Sequence, residues 1–187
     1  KTGKHFKDIS NLQGRRDLSF LHASFSPDGK HVIFTTDDGK VTILEAHSGE
    51  IILTLPNQEK GIKKAMFFPS GNEILTANFG KNENLKVWTF PSGIIRKKYV
   101  FKEKMQTELW NGETSISKNA EFISIIGSDG KAKVHRSEDL SLISQKLLFS
   151  RFRPEESYIC DLNHNGSLAC IKTEEEASFL QLWNLQK

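Results

Sequence analysis

Hydrophobic and polar residues alternate along most of this chain in short runs broken by turn residues, and that pattern predicts strands. Phe20 to Phe25 alternates into Pro27-Asp28-Gly29, where proline presets φ and glycine accepts positive φ without steric cost. The next run, His31 to Thr36, is β-branched and aromatic. Asp38-Gly39 then offers a two-residue hairpin turn before Lys40 to Leu44. After Ser48-Gly49 the run Glu50 to Leu55 is long enough for a fourth strand, which Pro56 ends because it cannot donate to a ladder. The unit so predicted is one four-stranded antiparallel sheet. No segment sustains apolar residues at helical spacing between caps, which argues against βαβ units and helical repeats.

The unit recurs. Phe25-Ser26-Pro27-Asp28-Gly29-Lys30 returns as Phe67-Phe68-Pro69-Ser70-Gly71-Asn72, and more faintly from Ile116 to Glu121 and from Leu162 to Ser167. A β-rich run closes downstream of each copy at Leu44, Trp88, His135 and Trp183. Turn dipeptides restart the pattern at Thr2-Gly3, Ser48-Gly49 and Ser92-Gly93, the next restart being degraded to Glu138-Asp139. The repeats run over about 1–46, 47–90, 91–137 and 138–187. A sheet this small cannot bury both faces alone, so neighbouring copies are expected to stack face to face, arranged radially.

These residues resemble the WD-repeat β-propeller family: the Ser-Pro-Asp-Gly turn, Asp38-Gly39, Val41 to Leu44, Ser48-Gly49-Glu50, Val87-Trp88 and Leu182-Trp183-Asn184. The resemblance covers essentially the whole chain. The Trp-Asp signature is altered to Leu44-Glu45, Trp88-Thr89, His135-Arg136 and Trp183-Asn184, and no Gly-His pair occurs. The resemblance implies an all-β propeller of four-stranded antiparallel blades. It also implies that the family's buried His, Ser/Thr, Asp and Trp network is missing, leaving blades held mainly by apolar packing. In that family the outermost strand follows the Trp-Asp position, so Gly3 to Leu12 would be an outer strand, and the chain would end after the inner strands of its fourth copy. Head and tail are therefore complementary. The expectation is part of a larger propeller, completed by further blades or a second copy, with a closed four-blade ring as the lesser alternative.

Composition adds limits. In 187 residues, 37% are hydrophobic and 26% charged, and no apolar run approaches the roughly 20 residues of a membrane span. The N-terminus lacks the apolar core of a secretory signal. A soluble cytoplasmic or nuclear protein without a membrane partner is expected. Cys160 and Cys170 flank the turn His164-Asn165-Gly166, so a hairpin would set them opposite each other. A disulfide or a Cys/His metal site is conceivable there, but zinc needs four ligands and only His164 is near, so the pair reads as two buried thiols in a reducing compartment.

Chemistry-bearing motifs are sparse. Ser128 sits in the turn Gly127-Ser128-Asp129-Gly130 without a nucleophile-elbow spacing, the six histidines form no HExxH pair, and no Gly-rich phosphate loop occurs. No enzyme, cofactor or metal is expected; a sensor or hydrolase using His22, His135 and Asp129 is the least favoured option. What remains is surface. In the propeller implied by the resemblance, the connections into each first strand and the turns between second and third strands share one face. Arg15, Arg16, Lys60, Lys63, Phe79, Lys81, Lys102, Lys104, Trp110, Arg151, Phe152 and Arg153 fall there. Cations mixed with aromatics are typical of binding hot spots, and packing of Trp110 and Phe152 between blades explains them equally well. Residues 51–104 carry ten Lys/Arg against four Asp/Glu, whereas 105–187 carry nine against twelve. The expected role is a protein-interaction scaffold within a multi-subunit complex. The alternative partner is RNA, with the basic stretch Lys60 to Lys104 neutralising phosphate and Trp110 or Phe152 stacking on bases.

Overall fold

The computed structural model describes residues 19–56, 62–78, 84–100, 113–126, 130–147, 157–164, 166–173 and 178–184. They form four antiparallel sheets in chain order. The first holds β1 (Phe20–Phe25), β2 (His31–Thr36), β3 (Val41–Glu45) and β4 (Ile51–Thr54). The second holds β5 (Ile62–Phe67), β6 (Glu73–Asn78), β7 (Asn84–Thr89) and β8 (Ile95–Val100). In the third lie β9 (Glu113–Ile116), β10 (Phe122–Ile126), β11 (Lys131–Arg136) and β12 (Leu142–Leu147). The fourth has three strands, β13 (Ser157–Leu162), β14 (Ser167–Thr173) and β15 (Ser178–Asn184). Every sheet follows sequence order, and no helix appears among the described residues, so none is long and apolar enough to cross a membrane.

The worn copies keep the backbone chemistry of the well-preserved ones. At the first turn the N–H of the fourth residue past the strand bonds back three residues: Gly29 to Ser26, Gly71 to Phe68, Ala120 to Ser117 and Gly166 to Asn163, at 2.8–3.2 Å. After the third strand, Ala46, Phe90 and Ser137 donate to Lys30, Asn72 and Glu121. The same turn before the fourth strand is closed by Gly49 to Glu45, Gly93 to Thr89 and Leu140 to Arg136. These positions need positive φ, which Gly29, Gly71, Gly49 and Gly93 adopt freely. Ala120 (φ 62°) and Leu140 (φ 61°) take the same conformation with a Cβ, held there by the surrounding ladder. Side chains reinforce the turn where glycine is lost: Ser117 Oγ donates to Asn119 Oδ1 at 2.7 Å and accepts the Phe122 N–H at 3.0 Å. Ser26 does the same with Asp28 and His31 at 2.6 and 2.9 Å.

Neighbouring sheets pack on their faces. One apolar cluster joins Ile33, Val41 and Ile43 of the first sheet to Ile62, Ile74 and Trp88 of the second. Another joins Leu75, Leu85 and Val87 of the second to Ile123, Ile125 and Val134 of the third, and on to Cys160, Leu162 and Leu168 of the fourth. Each fully buried Ile, Leu or Val side chain contributes about 1.5–3 kcal/mol. β5 lies beside β1 and β2, and β13 beside β9 and β10, so the first strands of successive sheets adjoin.

Apolar packing is not the whole account of these sheets. Trp88 is buried and its indole N–H donates to Thr76 Oγ1 at 2.9 Å, so a polar link crosses β6 and β7. The corresponding positions to Thr76 are Phe34 and Ile125 in the first and third sheets, which cannot accept it. The two-thiol expectation is corrected: Cys160 is disulfide-bonded, and the β13–β14 register sets it opposite Cys170, the other cysteine of the chain. A hairpin with a short turn puts directly paired Cα atoms within disulfide reach. The ground for a reducing compartment, two free thiols, lapses with it.

Candidate functional site

Of the surface expected from sequence, only Lys63 falls among the described residues. Arg15, Arg16, Lys60, Phe79, Lys81, Lys102, Lys104, Trp110, Arg151, Phe152 and Arg153 lie outside them, as do Ser128, Asp129 and the expected outer strand Gly3 to Leu12. Lys63, on β5, is half-buried, and its carbonyl accepts the Thr35 hydroxyl at 3.1 Å. That bond ties the first sheet to the second, so the backbone of Lys63 is part of the framework.

Its neighbour Lys64 belongs to a polar row running over the first strands. Alternation along β5 places adjacent side chains on opposite faces, and Lys64 Nζ meets Glu113 Oε2 of β9 at 2.7 Å. Both side chains are mostly sheltered, so the pair bridges the second and third sheets. His22 of β1 completes the row. Burial holds its pKa below 6.5, the Lys64 ammonium lowers it further, and a hydrogen bond with the Ala65 backbone opposes them. The imidazole is therefore neutral at pH 7, with Nδ1 buried and lacking a hydrogen-bond partner. A neutral imidazole, an ammonium and a carboxylate shared by three sheets supply both donors and acceptors. Sequence reading missed Lys64 and Glu113 because they lie 49 residues apart; the only local signal was a charge at an otherwise apolar strand.

Two more lysines were missed. Lys86 and Lys133 are buried at corresponding places on β7 and β11, two residues before Trp88 and His135. Lys86 Nζ lies 5.5 Å from the Trp88 ring centroid, where the ring's negative face favours an ammonium. In the third sheet His135 replaces tryptophan. Its Nδ1 donates to the Leu140 carbonyl at 2.9 Å, and its ring meets Tyr99 edge-on at 4.8 Å. Burial lowers its pKa and the Lys133 charge adds to this, against the raising effect of Leu140.

A pH dependence follows. The unfolded chain protonates these histidines near 6.5, whereas folded His22 and His135 resist the proton until lower pH. Their stabilising contribution is complete above 6.5 and is lost as pH falls from there toward their folded values. Asp28 and Asp139 add a later loss. The Ser26 hydroxyl and the Lys30 N–H lower Asp28, and the Ser141 hydroxyl and N–H lower Asp139, so their contributions disappear as pH drops below 3.8. Urea midpoints measured from pH 8 to 5 should decline, and His135→Gln should flatten part of that decline. An unchanged midpoint over this range would contradict the buried neutral state.

Comparison with known proteins adds a partial match. No family model matches the chain. A curated protein with a similar stretch is an enzyme, and its class is that of the lyases. It is the oligogalacturonate lyase of Dickeya dadantii (strain 3937), 47% identical over 47 residues, a stretch covering 21% of this chain and 12% of the lyase. The chain thus matches only a small part of that enzyme's length. The expectation that the protein is not an enzyme is corrected by this finding, since the similarity points to an enzyme. Spacing of motifs could not have revealed it, because sites assembled from dispersed loops leave no local signature.

Proposed function

We propose that the chain is a segment of a WD-type β-propeller whose loops bind partner proteins, and whose end sheets are completed by further blades or by a second copy. The observation that carries this reading is the pair of open faces at the ends of the stack. In the first sheet Phe25, Val32, Leu44 and Ile51 form one cross-strand row, on the face opposite Ile33 and Ile43, and Phe25 and Ile51 are 66% and 47% exposed. In the fourth, Asp161, Ala169 and Leu182 share a row, and Leu182 is 74% exposed. Large apolar side chains in such rows favour association with another apolar face. Sedimentation of the purified chain should show concentration-dependent association, and the double variant Phe25→Lys/Leu182→Lys should remain monomeric. A compact monomer at all concentrations would reject completion by a second copy. RNA as partner instead requires affinity that falls steeply with salt.

A second reading is favoured by the lyase match: the chain is part of a protein that cleaves acidic oligosaccharides by elimination. Incubation with oligogalacturonate should then yield an unsaturated product that absorbs in the ultraviolet. No new absorbance after prolonged incubation would remove this reading and leave the first.

A further inference from the structure

A cleft of about 490 Å³ opens between the first two sheets, where the turn from β1 to β2 stands beside the turn from β5 to β6 and the chain leaves β7. The surfaces that meet there face each other. His31 lies two residues before Ile33, on the face that packs against the second sheet, and Phe90 lies two residues after Trp88, on the face that packs against the first. Their rings meet edge-on at 5.0 Å, and Phe67 backs Phe90 at 5.2 Å. Pro27, Pro69 and Pro91 extend this apolar lining. The volume lies within the roughly 300–1,000 Å³ of small-ligand sites.

Among the described residues, Asp28 is the one carboxylate in the lining, and no lysine or arginine joins it. Its charge exceeds what the turn needs. Asp28 Oδ1 accepts the Ser26 hydroxyl at 2.6 Å and the Lys30 N–H at 3.1 Å. In the third sheet neutral Asn119 accepts the corresponding bonds, from Ser117 at 2.7 Å and from the Glu121 N–H at 3.3 Å. In the second, Ser70 accepts the Asn72 N–H at 3.3 Å. Asp28 Oδ2 has the Lys30 ammonium 4.0 Å away, with both side chains more than half exposed, and a pair so open to water contributes little. A better-placed cation can therefore displace it. The rings also set this junction apart. Where the second sheet meets the third, the positions of His31 and Phe90 hold Glu73 and Ser137, which are committed to Arg96 and to the Ala120 carbonyl.

We propose that this cleft holds an arginine side chain of a partner protein, an inference that rests on the reading of the chain as a binder of partner proteins and gives that reading a site. The guanidinium lies flat against Phe90 and the proline rings while its N–H groups donate to Asp28 Oδ2. Lysine fits less well, because its compact ammonium is more strongly hydrated and has no flat face to stack. A nucleic-acid strand is disfavoured at this place, since the carboxylate repels phosphate.

The test is a titration of the full chain at pH 8 and low salt with acetyl-Gly-Arg-Gly-amide, followed by backbone amide chemical shifts, with the citrulline peptide as the neutral isostere. The arginine peptide should shift the amides of Ser26, His31, Gly71 and Phe90, and the citrulline peptide should bind at least about fivefold more weakly. Asp28→Asn keeps the turn as Asn119 does and should weaken the arginine peptide about threefold or more. Lys30→Ala removes the competing cation and should bind that peptide at least as tightly as the parent. No response to the arginine peptide, equal binding of the two peptides, shifts confined to another part of the chain, or unchanged affinity in Asp28→Asn would overturn the cleft, while concentration-dependent association in sedimentation would leave the propeller reading standing. Absence of both the shifts and the association would remove the two together.

Discussion

Trp88→Ala is expected to lower stability by about 3–5 kcal/mol, the usual cost of emptying a buried aromatic site. Trp88 is among the largest fully buried side chains, and it lies in the cluster that joins the first two sheets. Its removal loosens an interface as well as a strand. Part of the loss is polar, and Thr76→Val isolates that part. Valine matches threonine in shape but cannot accept the indole N–H, so a buried donor is left unsatisfied at a cost of about 1–3 kcal/mol. Lys86, lying over the same ring, would also lose its cation–π contact in Trp88→Ala but keep it in Thr76→Val. Urea unfolding of the two variants checks the ordering. If Thr76→Val matched the parent and Trp88→Ala cost less than the polar link alone, the second sheet would not be held as described.

The two non-glycine residues at positive φ should respond to the same substitution with opposite sign. Ala120→Gly removes a backbone penalty of about 1–2 kcal/mol and adds chain entropy to the unfolded state of about 0.4–1 kcal/mol, for a net gain of up to about 1.6 kcal/mol. Leu140→Gly relieves the same strain but deletes a fully buried side chain from the cluster beneath the third sheet. Emptying such a site costs about 2–5 kcal/mol, so the net is a loss. The backbone link from Leu140 to Arg136 and the His135 bond to the Leu140 carbonyl both survive in the glycine variant. The change therefore reports packing against strain. Thermal midpoints moving up for Ala120→Gly and down for Leu140→Gly would establish that strain is tolerated at 140 for the sake of burial. Two shifts of the same sign would contradict it.

Both positions show how far local pattern reaches. Phe25 to Lys30 and Phe67 to Asn72 announce their turns because proline and glycine have steric requirements that operate within four residues. The copies at Ser117 and Asn163 lack the proline, and the third also lacks glycine, yet the ladder on either side holds the turn closed. Strand order within each sheet was equally legible, since short connections admit only antiparallel neighbours. The pairing of Cys160 with a second cysteine was visible as proximity, but whether the sulfurs join depends on the distance between two strands, which alternation does not specify.

The candidate site was much less legible. Lys63 was expected on the connection into a first strand and lies within β5 instead, while its neighbour Lys64 makes the bridge to Glu113, because the choice between adjacent residues depends on which face of β5 meets the third sheet. The contact between the last two sheets escaped notice for the same reason: the Ser117 and Asn163 turns read as two worn copies of a proline turn until the Asn119 bond joins them. Period-two alternation and turn sterics act over a few residues, so they were sufficient to dictate the strands of the first two sheets and the sequential order of the strands within each described sheet. The Lys64–Glu113 pair, the surroundings of His22 and the Asn119–His164 contact arise from residues more than forty positions apart, and only the packing of one sheet on the next determines which of them meet.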